Sequence, residues 1–177
     1  MTAPIGHPAP GFETEAYVAG HDGPRQVELQ DYSGSWLVLF FYPRDFTFVC
    51  PTELQAFAEL EEAFAHEDAA LVAASTDSYW SHRAWFESHP MLAHVRYPVL
   101  ADTSQRVAAA YGVLADDGSA VRGTFVIDPD GVLRHATVSD QSVGRSPDET
   151  LRVLQALCTG ALCPVNWRKG QPTLEAV

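Results

Sequence analysis

Seven consecutive apolar residues, Trp36 to Tyr42 (WLVLFFY), stopped at once by Pro43, constrain this chain more than any other feature. A half-exposed strand or a surface helix would show a polar residue every second to fourth position, and this run shows none. It is short and rich in aromatic residues, which is how a strand buried on both faces reads. Such strands belong to sheets covered by helices. With 177 residues and 46% hydrophobic side chains, the chain is long enough for one such domain and short for two.

Past Cys50 the period changes. Leu54, Phe57, Leu60 and Phe64 recur every three to four residues with Glu53, Glu59, Glu61 and Glu62 between them, which predicts an amphipathic helix. Ala69 to Ser75 reads as a second buried strand, and Ser78 to Ser88 as a helix with a serine cap. Tyr97 to Ala101 is a third strand, and Ser104 to Tyr111 a short helix ending at Gly112. Val121 to Ile127 and Val132 to Val138 flank Asp128-Pro129-Asp130-Gly131, a hairpin signal. Ser146 caps a last helix that Pro147 opens and that runs through Leu151, Leu154 and Leu157. The expected class is α/β, a central mixed β-sheet flanked by helices over residues 1–157, followed by a Gly- and Pro-rich polar tail over 158–177.

Eleven basic residues against 23 acidic ones give a net charge of −12, which repels phosphate backbones and anionic membranes. The segment MTAPIGHPAPGFETEAY has no positive region leading into an apolar stretch, and no apolar run approaches a membrane span. The expectation is a cytoplasmic protein that binds neither nucleic acid nor membrane. Three cysteines, Cys50, Cys158 and Cys163, are too few for a disulfide framework. They are therefore reactive thiols, metal ligands or inert buried sulfurs. Cys158 and Cys163 have no histidine near them in sequence, which weakens the metal reading.

Cys50 sits where a buried strand hands over to a helix. There the unpaired N–H groups and the helix dipole favour a negative charge, and Pro51 suits a first turn because its missing N–H costs nothing. The thiolate is the reactive form of cysteine, and helix N-termini with a nearby arginine favour it. Attack on an O–O bond also needs a donor that holds the substrate in line and a cation for the charge developing on the departing oxygen. Thr47, three residues before Cys50, is close enough for its hydroxyl to reach sulfur or substrate, and Pro43 is placed to shield the sulfur. Which arginine serves is not fixed by spacing.

Pro43, Thr47 and Cys50, set in FYPRDFTFVCPTE, match the P-x3-T-x2-C motif, and the chain resembles the two-cysteine peroxiredoxins, in particular the alkyl hydroperoxide reductase C type. IGHPAPGF, YGVL, AVRGTFVIDPDG and SVGRSPDETLRVLQAL extend the resemblance over nearly the whole chain. It implies a thioredoxin-like fold and reduction of hydrogen peroxide and organic hydroperoxides, with no metal and no bound cofactor. It makes Cys50 the peroxidatic sulfur, Arg122 in VRGTF its guanidinium partner, Arg145 in VGRS a second support, and Glu53 in CPTE a member of their network. Without the resemblance, Glu53 would read equally as a first-turn dipole partner.

Cys163, in CPVNW, resembles the resolving cysteine, which in the family comes from a partner subunit. That implies a homodimer, with dimers assembling into a ring, and a protein disulfide reductant: thioredoxin, a flavoprotein reductase or a small adapter. The tail is shorter than in many relatives and resembles the actinobacterial branch, but Cys158 lies before the resolving position, where that branch has its extra thiol after it. Cys158 is expected to be a partly buried helix-end residue and a candidate extra redox thiol. The GGLG segment and the Tyr-Phe helix of over-oxidation-sensitive relatives are replaced by SHPMLAHVRYP and PTLEAV, which leads us to expect a readily moving tail. His82 reads as a helix-face or interface residue. A dithiol oxidoreductase would need a second cysteine at position 53, where Glu stands. A holdase or scaffold role finds no long apolar stripe to support it.

Overall fold

The computed structural model describes residues 3–175, so the first two and last two residues of the expected domain and tail lie outside it. β3 (Trp36–Phe41), β4 (Ala69–Ser75) and β5 (Val99–Ala101) are parallel neighbours. β6 (Arg122–Ile127) runs antiparallel to β3, and β7 (Leu133–Ser139) antiparallel to β6. An N-terminal hairpin, β1 (Glu13–Tyr17) and β2 (Arg25–Glu28), adds to β5, giving the order β2-β1-β5-β4-β3-β6-β7.

The apolar run is buried on both faces as its composition requires. Leu37, Leu39 and Phe41 enter one core with Val72, Leu100, Tyr111 and Phe125. Val38, Phe40 and Tyr42 enter the other, with Leu54, Phe57, Trp85 and Leu154. The second core is roofed by α1 (Cys50–Glu59), α2 (Glu61–Ala65), α3 (Tyr79–Ser88) and α5 (Pro147–Cys158). The first is covered by α4 (Arg106–Ala110) and by the N-terminal segment carrying Phe12. Ser78 and Ser146 cap α3 and α5 by accepting from Ser81 and Glu149 N–H groups. The Asp128–Gly131 turn closes with Gly131 at φ 79° and with the Asp128 carboxylate accepting from Asp130 and Val132 N–H.

Three elements differ from expectation. The helix after Cys50 breaks at Leu60, whose backbone (φ −101°, ψ 3°) leaves the helical region. α4 starts at Arg106 because Gln105 is left-handed (φ 60°). The β1–β2 hairpin is not foreseen, since ETEAY and RQVE bury only Ala16, Tyr17 and Val27 and carry no clear alternation. Among the described residues no helix is long and apolar enough to cross a membrane.

Candidate active site

The C-terminal end of β3 leads through residues 42–49 into the first turn of α1, and antiparallel pairing brings the start of β6 to the same edge. Cys50 is the first residue of α1 and is fully buried. Its cap, Val49, offers no side-chain hydrogen bond; Thr52 and Glu53 N–H instead donate to the Val49 carbonyl. Glu53 follows one turn later, on the same face of α1, and is 3% exposed.

Arg122, 2% exposed, lies across from both. Its Nη1 donates to Cys50 Sγ at 3.5 Å and, in a short bond, to Glu53 Oε2, while Nε donates to the Gln141 carbonyl at 2.8 Å. Arg145 approaches Glu53 from the other side: its backbone N and Nε donate to Oε1 (2.7 and 2.8 Å) and Nη2 to Oε2 (2.8 Å). Its Nη1 reaches the Gly123 carbonyl and Thr124 Oγ1, and its guanidinium stands 5.5 Å from the centroid of the Phe40 ring. A Cβ at Gly123 would sit 2.6 Å from Val113 Cγ1, so only glycine lets β6 pass here with Arg122 in place. Burial pushes the Glu53 carboxyl up, but Arg145's hydrogen bonds and charge, followed by Arg122's charge, outweigh it and hold it below the usual carboxylate range. One carboxylate between two guanidiniums leaves one positive charge uncompensated beside the sulfur. That surplus can meet the negative charge that develops on a departing oxygen.

The loop before Cys50 is fixed at its start. Pro43 is buried. The Tyr42 hydroxyl donates to Asp45 Oδ1 at 2.7 Å, His82 Nδ1 lies 2.9 Å from Asp45 Oδ2, and Ser75 Oγ donates to Asp77 Oδ2, which also accepts the Asp45 N–H. His82 on α3 is fully buried, so the expectation of a helix-face or interface position is corrected: its ring is consumed by Asp45 and by the Leu100 carbonyl. Thr47 Oγ1 donates to the Arg44 carbonyl at 2.9 Å, a bond that keeps its proton away from the sulfur and turns its lone pairs outward. Phe46, Phe48 and Trp80 are exposed around this loop. Sequence reasoning points to Pro43, Thr47, Cys50, Glu53, Arg122 and Arg145, gives His82 only a helix-face or interface place, and passes over Asp45 and Tyr42. Nothing local signals a pairing between residues 45 and 82; it arises from packing α3 against the end of β3.

The other two sulfurs lie elsewhere. Cys163 Sγ is 3.4 Å from Thr159 Oγ1 and 3.7 Å from the Ala156 carbonyl, at the C-terminal end of α5. The other end of α5 begins two residues after Arg145, and Pro147 to Ala156 spans about 14 Å at 1.5 Å per residue. Cys158 ends α5, as expected, and is exposed rather than partly buried. The desolvation it has, then the Glu67 charge, push its thiol up. The tail is pinned and not loose. Trp167 is 3% exposed, Arg152 Nη1 donates to its carbonyl at 3.0 Å, and Lys169 pairs with Glu67.

Comparison with known proteins agrees with this geometry. Residues 5–136 match the family described as AhpC/TSA. Peroxiredoxin prdx-2 of Caenorhabditis elegans is 48% identical over 179 residues, covering 97% of this chain and 88% of that protein. Alkyl hydroperoxide reductase C of Mycolicibacterium smegmatis is 41% identical over 182 residues, covering 97% and 93%. The crystal structure of the reduced 2-Cys peroxiredoxin of Plasmodium vivax superposes with a TM-score of 0.90 at 35% identity, covering 96% of this chain and 91% of that one.

Proposed function

From the premise that this chain belongs to the AhpC/TSA family, and is a peroxiredoxin with a thioredoxin-like fold and thiol-dependent peroxidase activity, we propose that Cys50 is its peroxidatic sulfur and Cys163 its resolving sulfur. One observation carries the first assignment: a fully buried cysteine at a helix start with an arginine Nη1 3.5 Å from its sulfur.

The Cys50 thiolate attacks the nearer peroxide oxygen, an S–O bond forms, and the O–O bond breaks with its electron pair leaving on the far oxygen. Arg122 stabilises that charge, and the departing oxygen takes up a proton to leave as water or alcohol. Thr47, its proton committed to Arg44, accepts from the peroxide O–H and aligns it, while Pro43 walls off solvent. Glu53 and Arg145 hold Arg122 in register. Sulfur is oxidised by two electrons to a sulfenic acid.

The Cys163 thiol then displaces water from that sulfur to give a disulfide. A disulfide brings two Cα atoms within about 7 Å, whereas Cys50 starts α1 near the Arg145 end of α5 and Cys163 lies by the other end. In this reading the partner is Cys163 of a second copy, in a homodimer, and the first turn of α1 unwinds to release the buried Cys50. The edge strand β7, with Val138 exposed, offers a surface for the dimer, and Phe46, Phe48 and Trp80 one for a ring. Residues 1–157 are then the catalytic domain and 158–177 the tail that delivers Cys163. A protein dithiol reductant (thioredoxin, a flavoprotein reductase or a small adapter) reopens the disulfide, in a cytoplasm that keeps thiols reduced.

A non-reducing gel after one equivalent of hydrogen peroxide tests the assignment. Wild type and Cys158→Ser give a disulfide-linked dimer band, and Cys50→Ser and Cys163→Ser give none. A dimer band that persists in Cys163→Ser and vanishes in Cys158→Ser would reverse the roles of the two tail thiols.

A further inference from the structure

Tyr42, Asp45 and His82 take no part in the peroxide chemistry above, yet they form a fully enclosed polar cluster directly against the loop that carries it. His82 is 0% exposed and Asp45 7%. Both His82 nitrogens face acceptors: Nδ1 the Asp45 carboxylate at 2.9 Å, Nε2 the Leu100 carbonyl at 3.2 Å. The Tyr42 hydroxyl, 3.3 Å from Nδ1, spends its proton on Asp45 Oδ1. All three side chains are thus tied into one buried hydrogen-bonded set, in which each group has a single fixed orientation.

The conformation it selects is visible in the next residue. Phe46 has φ 55°, a left-handed backbone that a bulky aromatic residue disfavours and that persists only where its surroundings impose it. Asp45 is held at both ends, its side chain by His82 and Tyr42 and its N–H by Asp77. Phe46 is followed directly by Thr47.

We propose that His82 is a positioning residue for the peroxide step: its ring fixes Asp45, Asp45 imposes the left-handed turn at Phe46, and the turn keeps Thr47 and Cys50 in the closed arrangement beside Arg122. This rests on Cys50 being the peroxidatic sulfur. The same clamp opposes the opening that disulfide formation requires. Releasing it therefore moves the two chemical steps in opposite directions, since it shifts one equilibrium between closed and open loops.

Stopped-flow tryptophan fluorescence separates a phase whose rate scales with peroxide from a later one that does not. In His82→Gln, whose one amide nitrogen cannot stand in for two ring nitrogens that face separate partners, the first phase slows by about tenfold and the second quickens severalfold. Asp45→Asn reproduces the split, and decides the matter alone should His82→Gln not fold. The double variant is no slower in the first phase than the slower single one. Rates within twofold of wild type, or two phases falling in parallel, overturn the clamp, as does a double variant with multiplied losses. A wild-type first phase that survives Cys50→Ser would instead overturn the assignment of Cys50.

Discussion

Cys50 and Cys163 are the same side chain in opposite surroundings. Around Cys50 two guanidiniums, a carboxylate and the start of a helix are buried together, and every charged partner is fixed by at least one further bond. Cys163 meets a hydroxyl and a carbonyl oxygen at a helix end, both neutral, in a segment held to the body by one tryptophan, one arginine and an exposed ion pair. The contrast fits the roles proposed for the two sulfurs: an attacking sulfur needs a water-poor, preorganised site, and a resolving sulfur needs freedom to travel to it.

The largest expected effect removes the charge from the rigid region. Arg122→Met leaves Glu53 neutralised by Arg145 alone and takes the cation from beside the sulfur. The second-order rate of hydrogen peroxide with Cys50 should fall by about 10²–10³, the usual cost of losing one preorganised donor to a developing anion. A loss under fivefold in a folded variant would mean that Arg122 is an ordinary structural ion pair. Glu53→Gln comes next. It leaves two buried guanidiniums without their carboxylate, and breaking a buried pair from one side costs about 3 kcal/mol. Because the folded carboxyl titrates below its usual range, its stabilisation is complete above the unfolded value of about 4.3 and disappears as pH falls through the folded value. Denaturant unfolding should therefore show the gap between wild type and Glu53→Gln at pH 7 and its narrowing below pH 4. A gap independent of pH would remove the charge from the explanation.

The rigid region is also the more legible of the two. WLVLFFY requires a doubly covered strand by composition alone, and a cysteine followed by proline at the next period change marks a helix start. Arg122 and Arg145, remote in sequence, are identified only through VRGTF and VGRS, because β6 and the residues before α5 reach Glu53 by tertiary packing that no local period encodes. The same holds for Asp45 and His82. The tail misleads because the absence of particular segments suggests mobility, while docking depends on where one tryptophan lands: Trp167 Nε1 donates to the Gln171 carbonyl and the ring is buried.

That docking yields the two smaller effects. Trp167→Ala removes an anchor whose burial in an ordinary core is worth about 3–5 kcal/mol. Even half of that, lost locally, raises alkylation of Cys163 by at least about tenfold while the melting temperature of the body hardly moves. Unchanged alkylation would show that Arg152 and the Leu162–Leu174 bridge hold the segment without it. Lys169→Ala is the weakest test. The pair with Glu67 joins a lysine side chain 61% exposed to a carboxylate 10% exposed, and Glu67 keeps a second donor in Gln155. An ion pair with one member in solvent contributes at most about 0.5 kcal/mol and is screened by salt. Cys163 alkylation should rise no more than about twofold at low ionic strength and not at all at ~1 M salt, where screening reaches a few ångströms. An effect as large as that of Trp167→Ala would move the tail from the labile side of the comparison to the charged, preorganised side occupied by Cys50.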